Sequence, residues 1–311
     1  MAEEAEAMPR WVPPFWYGSR QFTAEDLALI VETVRRFGRL GFSEVVATIC
    51  ENLPWRAPNG KLKVDSCREL LLRLEAAGLV RLPARAAVGV PARAERMGTP
   101  PPDVVLRTEL RAIRPVRVEP VPAEEGPDWN AMMARYHPLG YRRAFGAQQK
   151  YWVWESSTGR ARILGGVLFA ASAKALAVRD EWIGWDAEER QRYRHRIVSN
   201  SRYLLLPGVQ VPHLASHVLG LVLRRLPGDW IQRYGFAPVL VETFVERPWA
   251  GTCYQAANWL YLGETAGRGR QDREHAKAAG VKAVWVYPLY RDWRRRLKAP
   301  LEVAADDELH G

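Results

Sequence analysis

The sequence is short of cysteine, of long apolar runs and of negative charge, and each shortage removes a class of protein. Only three of the 311 residues are cysteines: Cys50, Cys67 and Cys253. They are too few and too scattered for a disulfide framework, so a reducing bacterial cytoplasm is the expected home. No stretch nears the about eighteen apolar residues of a membrane span. The best, IVSNSRYLLLPGVQV, is broken by Ser, Asn, Arg and Pro. The acidic beginning MAEEAEAMPR has no apolar core behind a basic start, and no secretory signal is expected. Asp and Glu number 35 against 45 Lys and Arg, a formal charge of +10. That surplus points to a polyanion as partner, nucleic acid first and an anionic membrane surface second. With 48% hydrophobic and 26% charged residues the chain otherwise has the composition of a folded protein, long enough for two domains.

The spacing of apolar residues sets out an α/β (α+β) protein in three parts. Residues 15–82 read as a winged helix-turn-helix domain. Thr23 caps a first helix with Asp26 at its third position, and Leu27, Ile30, Val31, Val34 and Phe37 follow helix spacing. Ser43 is the expected cap of a second helix, Glu44 to Leu53. DSCRELLLRLEAAG is a third, stopped by Gly78, and LVRLP a closing strand. Residues 83–127 read as a Pro/Ala-rich linker containing PPP at 100–102, within which LRAIRPVRVEPV has the pattern of one irregular strand. Residues 128–311 read as a mixed α/β domain with a basic tail. Its expected strands are YWVWES, ARILGGVLFAAS, SRYLLLPGVQV, PVLVETFV and VKAVWVYPL. Its expected helices are Ala187 to Ile197, PHLASHVLGLVLRRL with proline in its first turn, and the short CYQAANWLYL.

Two groups of cations suit nucleic acid. In the N-terminal part Arg56, Asn59, Lys61 and Lys63 precede the third helix, and Arg68 and Arg73 lie on its outer face. Lysine and arginine neutralise phosphates, while arginine and asparagine read base edges. Near the C-terminus, Arg268 to Lys298 holds ten Lys or Arg against three acidic residues. Arg268, Arg270 and Arg273 fall there in or after a glycine-spaced turn, and Arg294 and Arg295 in RDWRRRLK. Trp285, Tyr287, Tyr290 and Trp293 are interleaved, a platform for stacking bases. A solvated charged face is the plainer alternative for both groups.

The candidate reactive groups cluster in GTCYQAANW (251–259). A thiol at a helix start acquires a lowered pKa, so Cys253 is a candidate covalent nucleophile, with Tyr254 the alternative. Glu242 and Asp180 are the carboxylates expected in the same cleft, to orient a base, act as one or hold a divalent metal. Asp180 beside Arg179 also fits an internal ion pair. His213 and His217 are four apart on one helical face, without the glutamate or cysteine pair of a zinc site. Asn258 can hydrogen-bond a phosphate. A lone cysteine is otherwise a small core residue.

QVPHLAS (210–216) resembles the pyrophosphate loop of the acetyltransferase superfamily, Q/R-x-x-G-x-G/A, with Gln210 and Ala215 in place. PVLVETFV and CYQAANWLYLGE resemble that superfamily's last core strand and following helix. His213 stands where the first glycine belongs and blocks close approach of a pyrophosphate, so acetyl-CoA is not the expected cofactor. HPLGY, RDEWIGW, LPGVQVPHLASHVL, VETFVE, GTCYQAANW, GETAGRGRQDR and WVYPL occur together and in order. On these motifs the chain resembles the DruA family of the Druantia anti-phage system, many of whose members are transposase-like proteins of mobile elements. The resemblance implies a nucleic-acid-directed role. The expectation is a DNA-processing enzyme that cleaves or joins strands as a homodimer on DNA, with a helicase or nuclease partner where it belongs to a defence operon. The alternatives are a non-catalytic DNA-binding subunit and a GNAT-like acyltransferase acting on nucleic acid.

Overall fold

The computed structural model describes residues 11–18, 20–38, 41–53, 55, 62–83, 98–141, 147–159, 161–265 and 280–299. They fall into two compact units, 1–91 and 92–311.

The first unit opens with a hairpin, β1 (Phe15–Tyr17) and β2 (Arg20–Phe22), followed by α1 (Ala24–Phe37), α2 (Phe42–Asn52) and α3 (Val64–Ala76). The start of α1 is set by a capping box. Asp26 N–H donates to Thr23 Oγ1 at 3.2 Å, and Thr23 N–H donates back to the Asp26 carboxylate at 3.3 Å. Ser43 does not cap α2. The N-cap is Gly41, at φ 93° and without a side-chain bond, because the chain turns through a backbone region open to glycine. Of the residues the periodicity marks in α1 and α2, Ile30, Val34, Phe37, Val45, Val46 and Ile49 are buried, as are Leu70, Leu71 and Leu74 of α3, while Val31 is exposed. The closing strand does not form. Val80 and Leu82 are buried, but the segment runs irregularly, and Leu82 N–H bonds the Glu75 carboxylate at 3.0 Å where a wing would supply a strand partner. A three-helix unit with an aromatic hairpin stands where a winged helix was expected.

The second unit is built on a seven-stranded mixed sheet. Its strands are β4 (Val116–Pro120), β5 (Gln148–Glu155), β6 (Arg162–Ala171), β7 (Ile197–Leu205), β9 (Leu240–Glu246), β10 (Leu260–Glu264) and β11 (Lys282–Pro288), in the order β10-β11-β9-β7-β6-β5-β4. Every neighbouring pair is antiparallel except β7 and β9. A separate short parallel pair joins β3 (Leu106–Arg107) to β8 (Val209–Gln210). The segment expected as a linker therefore supplies β3 and the sheet's edge strand β4, where Val116 and Val118 alternate inward with Arg117 and Glu119 outward. The helices are α4 (Gly126–Tyr136), α5 (Ala177–Ile183), α6 (Ala187–Tyr193), α7 (Leu214–Tyr234), α8 (Thr252–Ala256) and α9 (Trp293–Lys298). The helix expected to reach Ile197 ends at Tyr193. After one 3-10 turn Ile197 begins β7, because its side chain is needed in the core with Leu240 and Trp293. Pro212 is not in the first turn of α7 but precedes its N-cap, His213.

Strand parity divides the helices. Gly166, Ser199 and Glu242 point to one face, where α4 and α5 pack; Asn200 and Thr243 point to the other, covered by α7 and α8. Trp129, Met132 and Met133 of α4 fill the first face with Trp152, Leu168 and Leu204. No described helix is long and apolar enough to cross a membrane. β6 and β7 approach so closely that a Cβ on Gly165 would lie 2.0 Å from the Leu204 carbonyl oxygen. Gly165→Ala is accordingly expected to destabilise the protein by about 2–3 kcal/mol through a forced strand shift, read as a fall in thermal midpoint. An unchanged midpoint would contradict this packing.

Candidate functional site

At the centre of the second unit lies a buried charge network. Arg179, on α5, is 0% exposed. Its Nη1 donates to Glu242 Oε2 at 2.7 Å and to the Ala173 carbonyl at 3.0 Å. Nε and Nη2 hold Asp180 Oδ1 at 2.8 and 2.6 Å. Asp180 also accepts from Trp185 Nε1 at 3.0 Å and from Leu176 N–H at 3.0 Å, and Glu242 accepts from Ala173 N–H at 2.6 Å. Burial works against the Arg179 charge, but Glu242 and Asp180 outweigh it and hold the pKa above its ordinary value. Glu242 is thus committed to the Arg179 guanidinium, and Asp180 to that guanidinium and, at 3.4 Å, to Arg190. Among the described residues no three His, Cys, Asp or Glu side chains stand together as a metal site.

Glu242 also marks the end of the parallel ladder. β7 and β9 pair from Ile197–Leu240 to Ser199–Glu242, and beyond that point no pairing continues. Asn200, the next residue of β7, occupies the parting. Its Nδ2 donates to the Leu168 and Arg202 carbonyls at 3.2 and 3.1 Å, and its Oδ1 accepts the Tyr254 hydroxyl at 2.8 Å. Its own carbonyl accepts Thr243 Oγ1 at 2.9 Å. Tyr254 is 8% exposed, packed on Trp259 at 5.0 Å, and burial pushes its pKa up. Cys253 is the second residue of α8, which has only five residues and so a weak dipole. Burial raises the thiol pKa, outweighing the backbone N–H groups of Tyr254 and Cys253 that favour the thiolate. The shift is opposite to that expected from a helix start. Tyr203 completes the cluster, donating to the Ala215 carbonyl at 2.8 Å and so tying β7 to the first turn of α7.

Between α7 and α8 opens a cleft of about 750 Å³, lined by His213, Ser216, His217, Gly220 and Arg224 of α7 on one side. Asn258 and Tyr287 and Tyr290 form the other side. Among the described residues its polar lining holds two imidazoles and a guanidinium and no carboxylate. His213 (φ 63°) and Asn258 (φ 61°) are the two non-glycine residues with positive φ among the described residues, and both face this cleft. The His217 pKa is lowered by burial first, then by Arg114 and Arg224, so the ring is neutral near pH 7. Neither arginine has an ion-pair partner among the described residues.

The remaining expected contacts are dispersed. Lys63 is the N-cap of α3 and half-buried, and Arg68 is exposed on α3. Arg73 is engaged by Glu69 at 2.5 Å. Arg295 pairs with Asp292 at 2.6 Å, and Arg294 stacks on Trp293 at 4.2 Å. Trp285 and Trp293 are buried and give no open platform. Arg56, Asn59, Lys61, Arg268, Arg270 and Arg273 lie outside the described residues. Residues 1–91 carry twelve Lys and Arg against eleven Asp and Glu, so nine of the ten surplus charges fall in residues 92–311. Arg224, Arg114 and Asn200 escaped the sequence reading. Arg224 follows the apolar run of its helix, and Asn200 sits inside a strand, where neither has a motif to mark it. Arg179→Met leaves the buried Glu242 without its cation, and Asp180 with Arg190 alone at 3.4 Å, and is expected to cost about 3–5 kcal/mol in urea denaturation. A loss below about 1 kcal/mol, typical of a surface pair, would show that the network is solvated.

Among solved structures the chain is similar to acetyltransferases, at low identity. It is 9% identical to a spermidine N-acetyltransferase mutant from Vibrio cholerae, covering 56% of this chain and 94% of that one, with a TM-score of 0.36. For the ribosomal-protein-S5-alanine acetyltransferase from Vibrio fischeri the values are 11%, 61%, 99% and 0.36. For a probable GNAT-family acetyltransferase from Chromobacterium violaceum they are 13%, 67%, 98% and 0.35. No curated protein matches. The family model described as Druantia protein DruA matches residues 107–278, more than half of the sequence, and the chain belongs to the DruA family.

Proposed function

We propose that the protein is a nucleic-acid-binding component of an anti-phage defence system, with the second unit as the binding body and the α7–α8 cleft as the point where phosphate is held. The observation that carries this is the carboxylate-free cationic cleft in the unit that holds nearly all of the surplus positive charge. Polyanions bind through such surfaces by releasing counterions, so affinity falls steeply with salt. In this reading Cys253 and Tyr254 pack α8 against the sheet, and strand cleavage belongs to a helicase or nuclease partner. A homodimer on DNA is compatible with it and is measured by light scattering of the bound complex.

The experiment is a fluorescence-polarisation titration of the full chain against labelled single- and double-stranded DNA over a range of salt. Arg224→Glu is expected to weaken binding by roughly tenfold or more and to flatten the salt dependence. Arg68→Ala, in the near-neutral first unit, is expected to stay within about twofold. Cys253→Ser and Tyr254→Phe should keep full affinity. Binding that ignores Arg224→Glu and fails with Arg68→Ala would move the interface to the first unit. A covalent route through Cys253 or Tyr254 predicts a trapped protein–DNA adduct that the Ser or Phe variant lacks.

A second reading, an acyltransferase acting on nucleic acid, is favoured by the parting of β7 and β9. There, Tyr254 and Asn200 fill the gap that an acyl thioester would have to enter, and the His213 side chain lines the cleft. Acetyl-CoA at about 1 mM is expected to leave the thermal midpoint unchanged; a clear rise, as mass action requires of a ligand of the folded state, would favour the acyltransferase.

A further inference from the structure

Resting on the nucleic-acid reading of the cleft, we propose that its cationic corner holds a terminal phosphate, a phosphomonoester at a strand end, in preference to an internal phosphodiester. Two guanidinium charges bear on the corner's imidazole, His217. Arg224, from α7, lines the cleft beside His217, and Arg114, from the segment before β4 and outside the lining, adds its charge at the same imidazole; among the described residues no carboxylate lines the cleft. An internal phosphodiester carries one negative charge. A terminal phosphate carries about −1.5 to −2 near neutral pH and presents three free acceptor oxygens. Two fixed guanidinium charges are balanced by the second and not by the first.

The floor of this corner is shaped for a compact group. Gly220 lines the cleft one turn along α7 from His217, and the Arg224 Nη1 atom lies 3.6 Å from where a Cβ on Gly220 would be. The guanidinium therefore folds along the helix above a position that has no side chain. A glycine inside a helix costs about 0.5–1 kcal/mol relative to alanine, and here it leaves helix backbone open to approach. Tyr287 and Tyr290 line the opposite wall, aromatic surface of the kind on which a terminal base stacks.

The arrangement makes binding proton-linked. The charged and titratable groups around His217 are Arg114, Arg224, His213, Tyr287 and Tyr290. Without an anion burial first, and then the two arginines, hold the imidazole pKa down; a bound dianion reverses the field of the arginines and draws a proton onto the ring. His217 is thus depressed in the free protein and raised in the complex. Proton uptake accompanies binding, and the preference for a phosphorylated end grows as pH falls from about 8 to about 6.5. Protonation of the phosphate itself limits the gain below about pH 6.

The test uses the full chain and three single-stranded DNAs of one sequence, roughly twelve nucleotides long, labelled internally and bearing a 5′-phosphate, a 3′-phosphate or hydroxyls at both ends. One phosphorylated strand is expected to bind about tenfold more tightly than the hydroxyl strand at about pH 6.5, with a smaller preference at about pH 8. His217→Gln should abolish the pH dependence of the preference. Gly220→Glu, which adds a carboxylate to the floor and removes no core contact, should abolish the preference itself. Equal affinity for all three strands would overturn the terminal-phosphate assignment and leave nucleic-acid binding standing. Absence of binding by any strand would overturn both. A preference that survives Gly220→Glu would place the phosphate elsewhere and also overturn the assignment.

Discussion

The guanidinium of Arg179 is wholly buried, and a bare cation in that position would cost several kcal/mol. Its two carboxylates remove the cost and in doing so fix the geometry around them. Asp180 ties the start of α5 to Trp185 and Leu176. Glu242 ties the same helix to β9 at the last residue that pairs with β7. The point at which the two parallel strands separate is therefore anchored from one face of the sheet by an ion network. From the other face it is filled by Asn200, Thr243 and Tyr254. Because Tyr254 belongs to α8, the filling of the gap also seats that helix, and α8 forms the far wall of the cleft.

This dependence separates two uses of polar chemistry within one unit. Carboxylates, a tyrosine and an asparagine are spent inside, where each has its partners, and burial pushes the Tyr254 pKa up, away from reactivity. The cleft keeps groups whose charge is either permanent, as in Arg224, or suppressed until an anion arrives, as in His217. A surface of this kind suits a ligand that brings negative charge with it, as the proposed nucleic acid does.

Local structure was legible in the sequence wherever one short-range rule acted alone. Thr23 and Asp26 marked the start of α1, and the apolar spacing of α1 to α3 marked the faces that are buried. Reading failed where a distant neighbour overrode local preference. Ser43 is a good cap in isolation, but the chain reaches α2 through Gly41 at positive φ. LVRLP has strand composition and no strand partner. Ile197 continues a helical pattern and is drawn into β7 by the core it shares with Leu240 and Trp293. Cys253 stands at a helix start, as expected, yet five residues of helix and a buried thiol reverse the shift that position suggested.

The sequence by itself determined the three helices of the first unit, most of the central strands, the positive charge and the run of motifs that places the chain in its family. It did not mark the β1–β2 hairpin, α4, α5 or α9, and Leu260 to Leu262, expected as the end of a short helix, begin β10. It also placed Asp180 beside Arg179, where an internal ion pair could be anticipated. Tertiary structure alone decided that Glu242, 63 residues away, joins them. It likewise decided that Tyr254 is held by Asn200, and that the charges of Arg114 and Arg224 both bear on His217. Burial and field depend on groups brought together by the sheet, and the separation along the chain at which those groups occur carries no local signature.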